Sequence, residues 1–125
     1  MEYAAEAEKI NRYSEIPEHG ALCDLLWSDP SEESVEGWIP NKMRSCSYYY
    51  SRSQATKFLN ANSIKLIIRG HEVQMKGFKY QYGSNNQPLT LTIFSAPRYC
   101  DTYSNKAAVA ILNGKDLAIK SFKDS

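Results

Sequence analysis

CSYYYSRSQATKFLNANSIKLII, residues 46–68, passes from a strand pattern to a helix pattern and back to a strand pattern. Cys46–Tyr50 is aromatic-rich, a composition that suits a pleated surface. Ser51 followed by Gln54 matches a capping box, the pairing of side chains that opens a helix. Ala55, Phe58 and Leu59 then recur at i, i+3 and i+4, which predicts a helix over 53–61. Ile64–Ile68 (IKLII) is a short apolar run of the buried-strand type.

Towards the N-terminus the pattern is helical. Residues 4–13 (AAEAEKINRY) hold strong helix formers, with Ala7, Ile10 and Tyr13 on one face, and Pro17 stops the run. Residues 20–27 (GALCDLLW) place Leu22, Leu25 and Leu26 at helical spacing, closed by Ser28-Asp29-Pro30. SEESVEG (31–37) reads as a solvated acidic loop, and irregular chain extends to about residue 44. Towards the C-terminus four strand candidates follow: 78–82, 89–94, 107–112 and 116–122. Their turn signals are Gly83-Ser84-Asn85-Asn86, Ala96-Pro97 and Asn113-Gly114, the last being a strong hairpin signal. Helices gather first and strands second, so the expected class is α+β. No internal repeat, low-complexity tract or linker interrupts the chain.

Composition narrows the function. The chain has 125 residues, with 15 Lys+Arg against 14 Asp+Glu and a net charge of +1. That balance lacks the basic field of a nucleic-acid binder. No apolar run approaches the roughly eighteen residues of a membrane span, and MEYAAEAEKI has no signal-peptide core. Cys23, Cys46 and Cys100 are scattered and odd in number, which favours reduced thiols and a cytoplasmic setting.

Four places carry candidate chemistry. His71, in R-G-H-E after an apolar strand, has the chemistry of a metal ligand. It equally suits a loop histidine satisfied by backbone, the simpler reading on these residues alone. Arg44, just before CSYYY, has the fork geometry that binds phosphate, or else forms a surface salt bridge. Tyr99 lies in Ser95-Ala96-Pro97-Arg98-Tyr99-Cys100, a Pro-containing loop after the strand LTLTIF. Such loops position functional side chains or simply connect strands. Cys100 has no histidine base near it in sequence, so an ordinary loop cysteine is the better reading.

Taken in order, LCDLLWSDP (22–30), RSCSYYYS (44–51), IIRGHE (67–72), LTIFSAPRYC (91–100) and DTYSNKAAV (101–109) resemble the calcineurin-like, metal-dependent Ser/Thr protein phosphatases. The resemblance runs from about Ile10 to Phe122. It implies the C-terminal half of a two-sheet β-sandwich with flanking helices, an incomplete domain over 1–125. It further implies phosphoserine and phosphothreonine hydrolysis by water held on a dinuclear metal, Fe/Zn or Mn. In that scheme His71 is a metal ligand, Arg44 holds the phosphate oxygens, and Tyr99 belongs to the loop over the active site. Leu117, Ala118, Ile119, Lys120 and Phe122 match an edge strand that captures P-x-I-x-I-T peptides by strand addition.

The departures from the family pattern set further expectations. G-D-x-H, G-D-x-x-D-R-G, G-N-H-E and H-G-G, which supply the family's other metal ligands, do not occur in this sequence. One histidine cannot hold two metals. The 125 residues alone are therefore expected to bind no stoichiometric dinuclear centre and to be inactive. Activity would need an N-terminal phosphatase half. The alternative is a non-catalytic scaffold element held in a host assembly. Arg98 stands where the family has asparagine in S-A-P-N-Y, adding a bulky charge beside the loop. Phe78 replaces a tyrosine, and Ala118 replaces an asparagine of the peptide groove.

Overall fold

The computed structural model describes residues 4–32, 34–84 and 87–124. The chain divides into two compact units, Met1–Lys65 and Leu66–Ser125. Its class is α+β, as the sequence predicts.

The first unit is built on a three-stranded sheet ordered β1-β3-β2, from β1 (Asp29–Pro30), β2 (Trp38–Pro40) and β3 (Tyr48–Tyr50). β3 is central, parallel to β1 and antiparallel to β2. Trp38 meets Tyr48 and Tyr50 edge to face, each with ring centroids 6.3 Å apart. This arrangement suits the aromatic quadrupole and secures the short β2 strand. The segment that reads as irregular over 31–44 thus contains β2, and β1 falls on the Asp29-Pro30 that reads as a helix stop. At two and three residues they are too short to show a period, and only pairing with β3 defines them.

α1 (Ala21–Trp27) precedes this sheet and α2 (Arg52–Asn62) follows it. Ser51 caps α2 as expected, its hydroxyl accepting the Gln54 N–H at 3.4 Å and the Gly37 N–H at 3.0 Å. Left-handed Ser63 (φ 53°) closes the helix, with Ile64 N–H donating to Leu59 O at 3.0 Å. Ala55 and Leu59 are its buried residues.

The helix expected over 4–13 is instead a 3₁₀ segment, Ala4–Lys9, with no buried residue. Tyr13 is almost fully exposed. A short helix persists only where an apolar face is covered, and this one covers nothing. The strand expected from Cys46 begins at Tyr48, because Ser45 (φ 59°) and Ser47 (φ 58°) are left-handed.

The second unit holds β4 (Ile67–Arg69), β5 (Phe78–Ser84) and β6 (Gln87–Ile93) in the order β4-β6-β5, followed by the hairpin β7 (Ala107–Asn113) and β8 (Asp116–Phe122). Thr90, Leu91 and Thr92 of central β6 are fully buried, so both faces of that strand are covered. The hairpin registers Asn113 against Asp116. Its loop is therefore Gly114-Lys115, one residue beyond the predicted Asn113-Gly114. Gly114 supplies the positive φ (59°) that a two-residue hairpin loop needs at its first position. Asn85 and Asn86 of the other predicted turn lie outside the described residues.

The two sheets of this unit are joined at Gly77. Ala108 N–H donates to Phe94 O at 3.0 Å, Phe94 N–H to Gly77 O at 2.8 Å, and Lys106 N–H to Met75 O at 2.9 Å. A Cβ on Gly77 would stand 2.4 Å from the Ala107 carbonyl carbon. Only glycine lets two backbones pass so closely.

Candidate active site

Arg44 lies on the loop between β2 and β3, which Asn41 organises. Asn41 is buried; its N–H donates to Ser47 O at 3.1 Å, and its Oδ1 accepts the Arg44 N–H at 3.1 Å. The same side chain donates through Nδ2 to Asp29 Oδ2 at 2.8 Å. Asp29, buried at the start of β1, also receives Arg44 Nε at 2.9 Å on Oδ2 and Nη2 at 3.3 Å on Oδ1. Two parallel N–H···O bonds fix a planar guanidinium in orientation as well as position. The Arg44 guanidinium carbon sits 5.9 Å from the centre of the Trp27 ring, within cation–π range. On the far side of the loop, Ser47 Oγ donates to Asp24 Oδ1 of α1 at 2.7 Å. Arg44 is thus a pre-set cation whose side chain is about a quarter exposed, at 26 %.

His71 belongs to the second unit. It follows β4, is exposed, and has φ 81°, a left-handed conformation unfavourable for a side-chain-bearing residue. Arg69 braces the turn beneath it, with Nη1 donating to Glu72 Oε1 at 2.7 Å and to Thr92 Oγ1 at 3.1 Å. Strained backbone held by its surroundings is characteristic of sites where a side chain must be aimed.

Tyr99, also in this unit, lies in a loop controlled by buried Asn105. The Asn105 side chain donates to Ala96 O at 2.9 Å and Lys106 O at 3.0 Å, and accepts the Tyr99 N–H at 2.9 Å. The Tyr99 ring packs perpendicular to Phe94, centroids 5.0 Å apart, and remains partly exposed. Arg98 is left-handed (φ 49°), which gives a physical reason for the asparagine of the family pattern, since asparagine tolerates that region. Its charge is not an uncompensated one: Arg98 pairs with Asp101 at 3.0 Å and Asp124 at 3.3 Å.

The predicted docking edge is β8. Leu117 and Ile119 are half-buried, Ala118, Lys120 and Phe122 exposed, and β7 is its one strand partner among the described residues.

Comparison with known proteins places these motifs. The model of the calcineurin-like phosphoesterases matches residues 2–75. The chain belongs to that family. It is 40% identical to the serine/threonine-protein phosphatase 2B catalytic subunit A1 of Saccharomyces cerevisiae, over 94% of this chain and 24% of that one. It is 39% identical to the serine/threonine-protein phosphatase 4 catalytic subunit of Kluyveromyces lactis, over 83% of this chain and 32% of that one. Among solved structures, a Saccharomyces cerevisiae protein serine/threonine phosphatase with similarity to human phosphatase PP5 superposes with a TM-score of 0.81 at 28% identity, covering 98% of this chain and 40% of that one. The chain therefore has the calcineurin-like fold and spans about a quarter to a third of the curated relatives' length.

A dinuclear metal is the cofactor that this calcineurin-like family implies. Among the described residues no three His, Cys, Asp or Glu side chains are grouped to hold an ion. By themselves the described residues do not fit such a centre. No helix among the described residues is long and apolar enough to cross a membrane.

Reading residues one at a time left out Asp29, Asn41, Trp27 and Asn105, the groups that hold Arg44 and Tyr99 in place. Asp29 and Trp27 were within sight, standing in L-W-S-D-P. Asn105 likewise stands in DTYSNKAAV, whereas Asn41 carries no signal beyond being a polar residue in a loop.

Proposed function

We propose that these residues form the C-terminal part of a Ser/Thr protein phosphatase domain, in which Arg44 binds the phosphate of a phosphoserine or phosphothreonine side chain. The observation that carries this reading is the fixing of Arg44 by Asp29, Asn41 and Trp27. A surface arginine loses rotamer freedom when pinned this way, whereas an arginine that must meet phosphate in one orientation gains by it. His71 then supplies one metal ligand and Tyr99 lines the loop over the substrate. The remaining metal ligands come from an N-terminal phosphatase half. The test is hydrolysis of a phosphoserine peptide by the intact protein, with and without a chelator. Chelator-sensitive turnover is expected; stable folded protein without turnover, at any divalent metal supplied, would favour the scaffold reading.

The open edge of β8 supports a second role, docking of P-x-I-x-I-T-type peptides by strand addition. Ala118 is exposed on that strand and lacks the amide a groove asparagine would offer. Ala118→Asn is expected to tighten binding of such a peptide by about tenfold, the worth of roughly one hydrogen bond. Titration followed by fluorescence anisotropy checks this, and equal affinity for a scrambled peptide would dismiss the role.

A further inference from the structure

We propose that Asn113, at the tip of the β7–β8 hairpin, is a site of spontaneous deamidation through a cyclic imide, and that its products loosen the start of β8. Asn113 is the one asparagine in the sequence that glycine follows. It is exposed, and among the described residues its side chain makes no hydrogen bond. Other asparagines are held. Asn62, which precedes Ser63, donates through Nδ2 to Phe58 O at 2.8 Å and accepts the Ala4 N–H at 2.7 Å. Asn41 and Asn105 are buried and bonded to the loops they organise.

Imide formation needs the next residue's amide nitrogen to reach the asparagine side-chain carbonyl carbon. Gly114 has no Cβ to obstruct that approach, and the space where one would stand is open. Its N–H makes no hydrogen bond among the described residues. Residues 111–116 are all exposed, so water reaches the tip freely.

The Gly114 nitrogen attacks the Asn113 side-chain carbonyl carbon. A C–N bond forms, the bond to the side-chain nitrogen breaks, and ammonia leaves with the former amide proton. Water then opens the imide. Cleavage at the side-chain carbonyl leaves aspartate; cleavage at the main-chain carbonyl leaves isoaspartate, whose backbone runs through the side-chain carbons. One water is consumed and one ammonia released, with no oxidant or reductant.

Either product places a carboxylate at position 113 and takes the formal net charge from +1 to 0. Asn113 faces Asp116 across the hairpin, so the new charge stands opposite a like charge, which weakens an antiparallel pair. Isoaspartate also lengthens the main chain beside a two-residue loop whose geometry sets the register. Leu117 and Ala118 come next along β8. An effect on peptide capture rests on the docking reading; the deamidation does not.

The experiment holds the intact protein in warm neutral buffer and maps peptides by mass and chromatography over time. Asn113 is expected to convert several-fold faster than any other asparagine, giving both aspartate and isoaspartate. Gly114→Ala should slow it several-fold, and repeating both in urea separates the methyl's obstruction from any change in the hairpin. An intact Asn113, or conversion spread evenly over the asparagines, overturns the site. Aspartate alone overturns the imide route. Hydrogen exchange on aged against fresh protein reads the consequence: faster exchange at Leu117 and Ala118 is expected, and unchanged exchange strikes the loosening of β8. A P-x-I-x-I-T peptide that fails to bind fresh protein removes the docking reading while a mapped isoaspartate stands.

Discussion

In the proposed phosphatase role, replacing Arg44 by alanine is expected to lower kcat/KM on a phosphoserine peptide by about 10²–10³-fold, the effect of removing one preorganised donor to developing negative charge. The loss should fall on kcat as well as KM, because the bonds tighten as charge builds on the phosphoryl oxygens. Arg44→Lys keeps a positive charge near Asp29 but has no second prong for its carboxylate, so it should recover only part of the rate. Asp29→Asn is the informative companion. It leaves the guanidinium in place but weakens the contact that orients it at 2.9 Å. Steady-state kinetics on all three, with thermal melts to confirm folding, check the expectation. A folded Arg44→Ala enzyme within threefold of wild type would remove Arg44 from the chemistry.

The second large effect is structural. Gly77→Ala should destabilise the chain by more than about 3 kcal/mol, the range of a severe steric substitution. Two costs combine. The φ of 85° is strained for any L-residue, and the new methyl would meet Ala107 and Ala108 backbone atoms at 2.4–2.7 Å. Backbone cannot swing aside as a side-chain tip can. Gly114→Ala separates the two costs, having φ 59° but open space around it. Strain alone should cost it only about 1 kcal/mol. Urea denaturation of both variants gives the comparison, and equal midpoints would show that the crossing at Gly77 is not tight.

How much of this was legible in the sequence varies by residue. α2 was readable because its cap, Ser51, and its buried positions lie within one local window. The β7–β8 hairpin was readable for the same reason, with a one-residue error in its loop. β1 and β2 were not, because strands of two or three residues exist only through partners some ten to twenty positions away. The extension of a helix to Tyr13 failed because propensity counts for little where nothing is packed. At the site, resemblance singled out Arg44, His71 and Tyr99, while their supports came from the fold. Asn105 shows why: its importance lies in three bonds to backbone that only the folded loop brings within reach.

The left-handed residues leave one more consequence, for engineering. Ser45 in one loop and Cys100 in the other each occupy backbone that asparagine or glycine adopts more cheaply. Both loops thus hold an unused reserve of stability beside the residues proposed to act on phosphate. Substitutions of this kind at Ser45 and Cys100 should harden the protein against heat without touching its core. Whether activity survives the hardening would show how far these loops must yield during turnover.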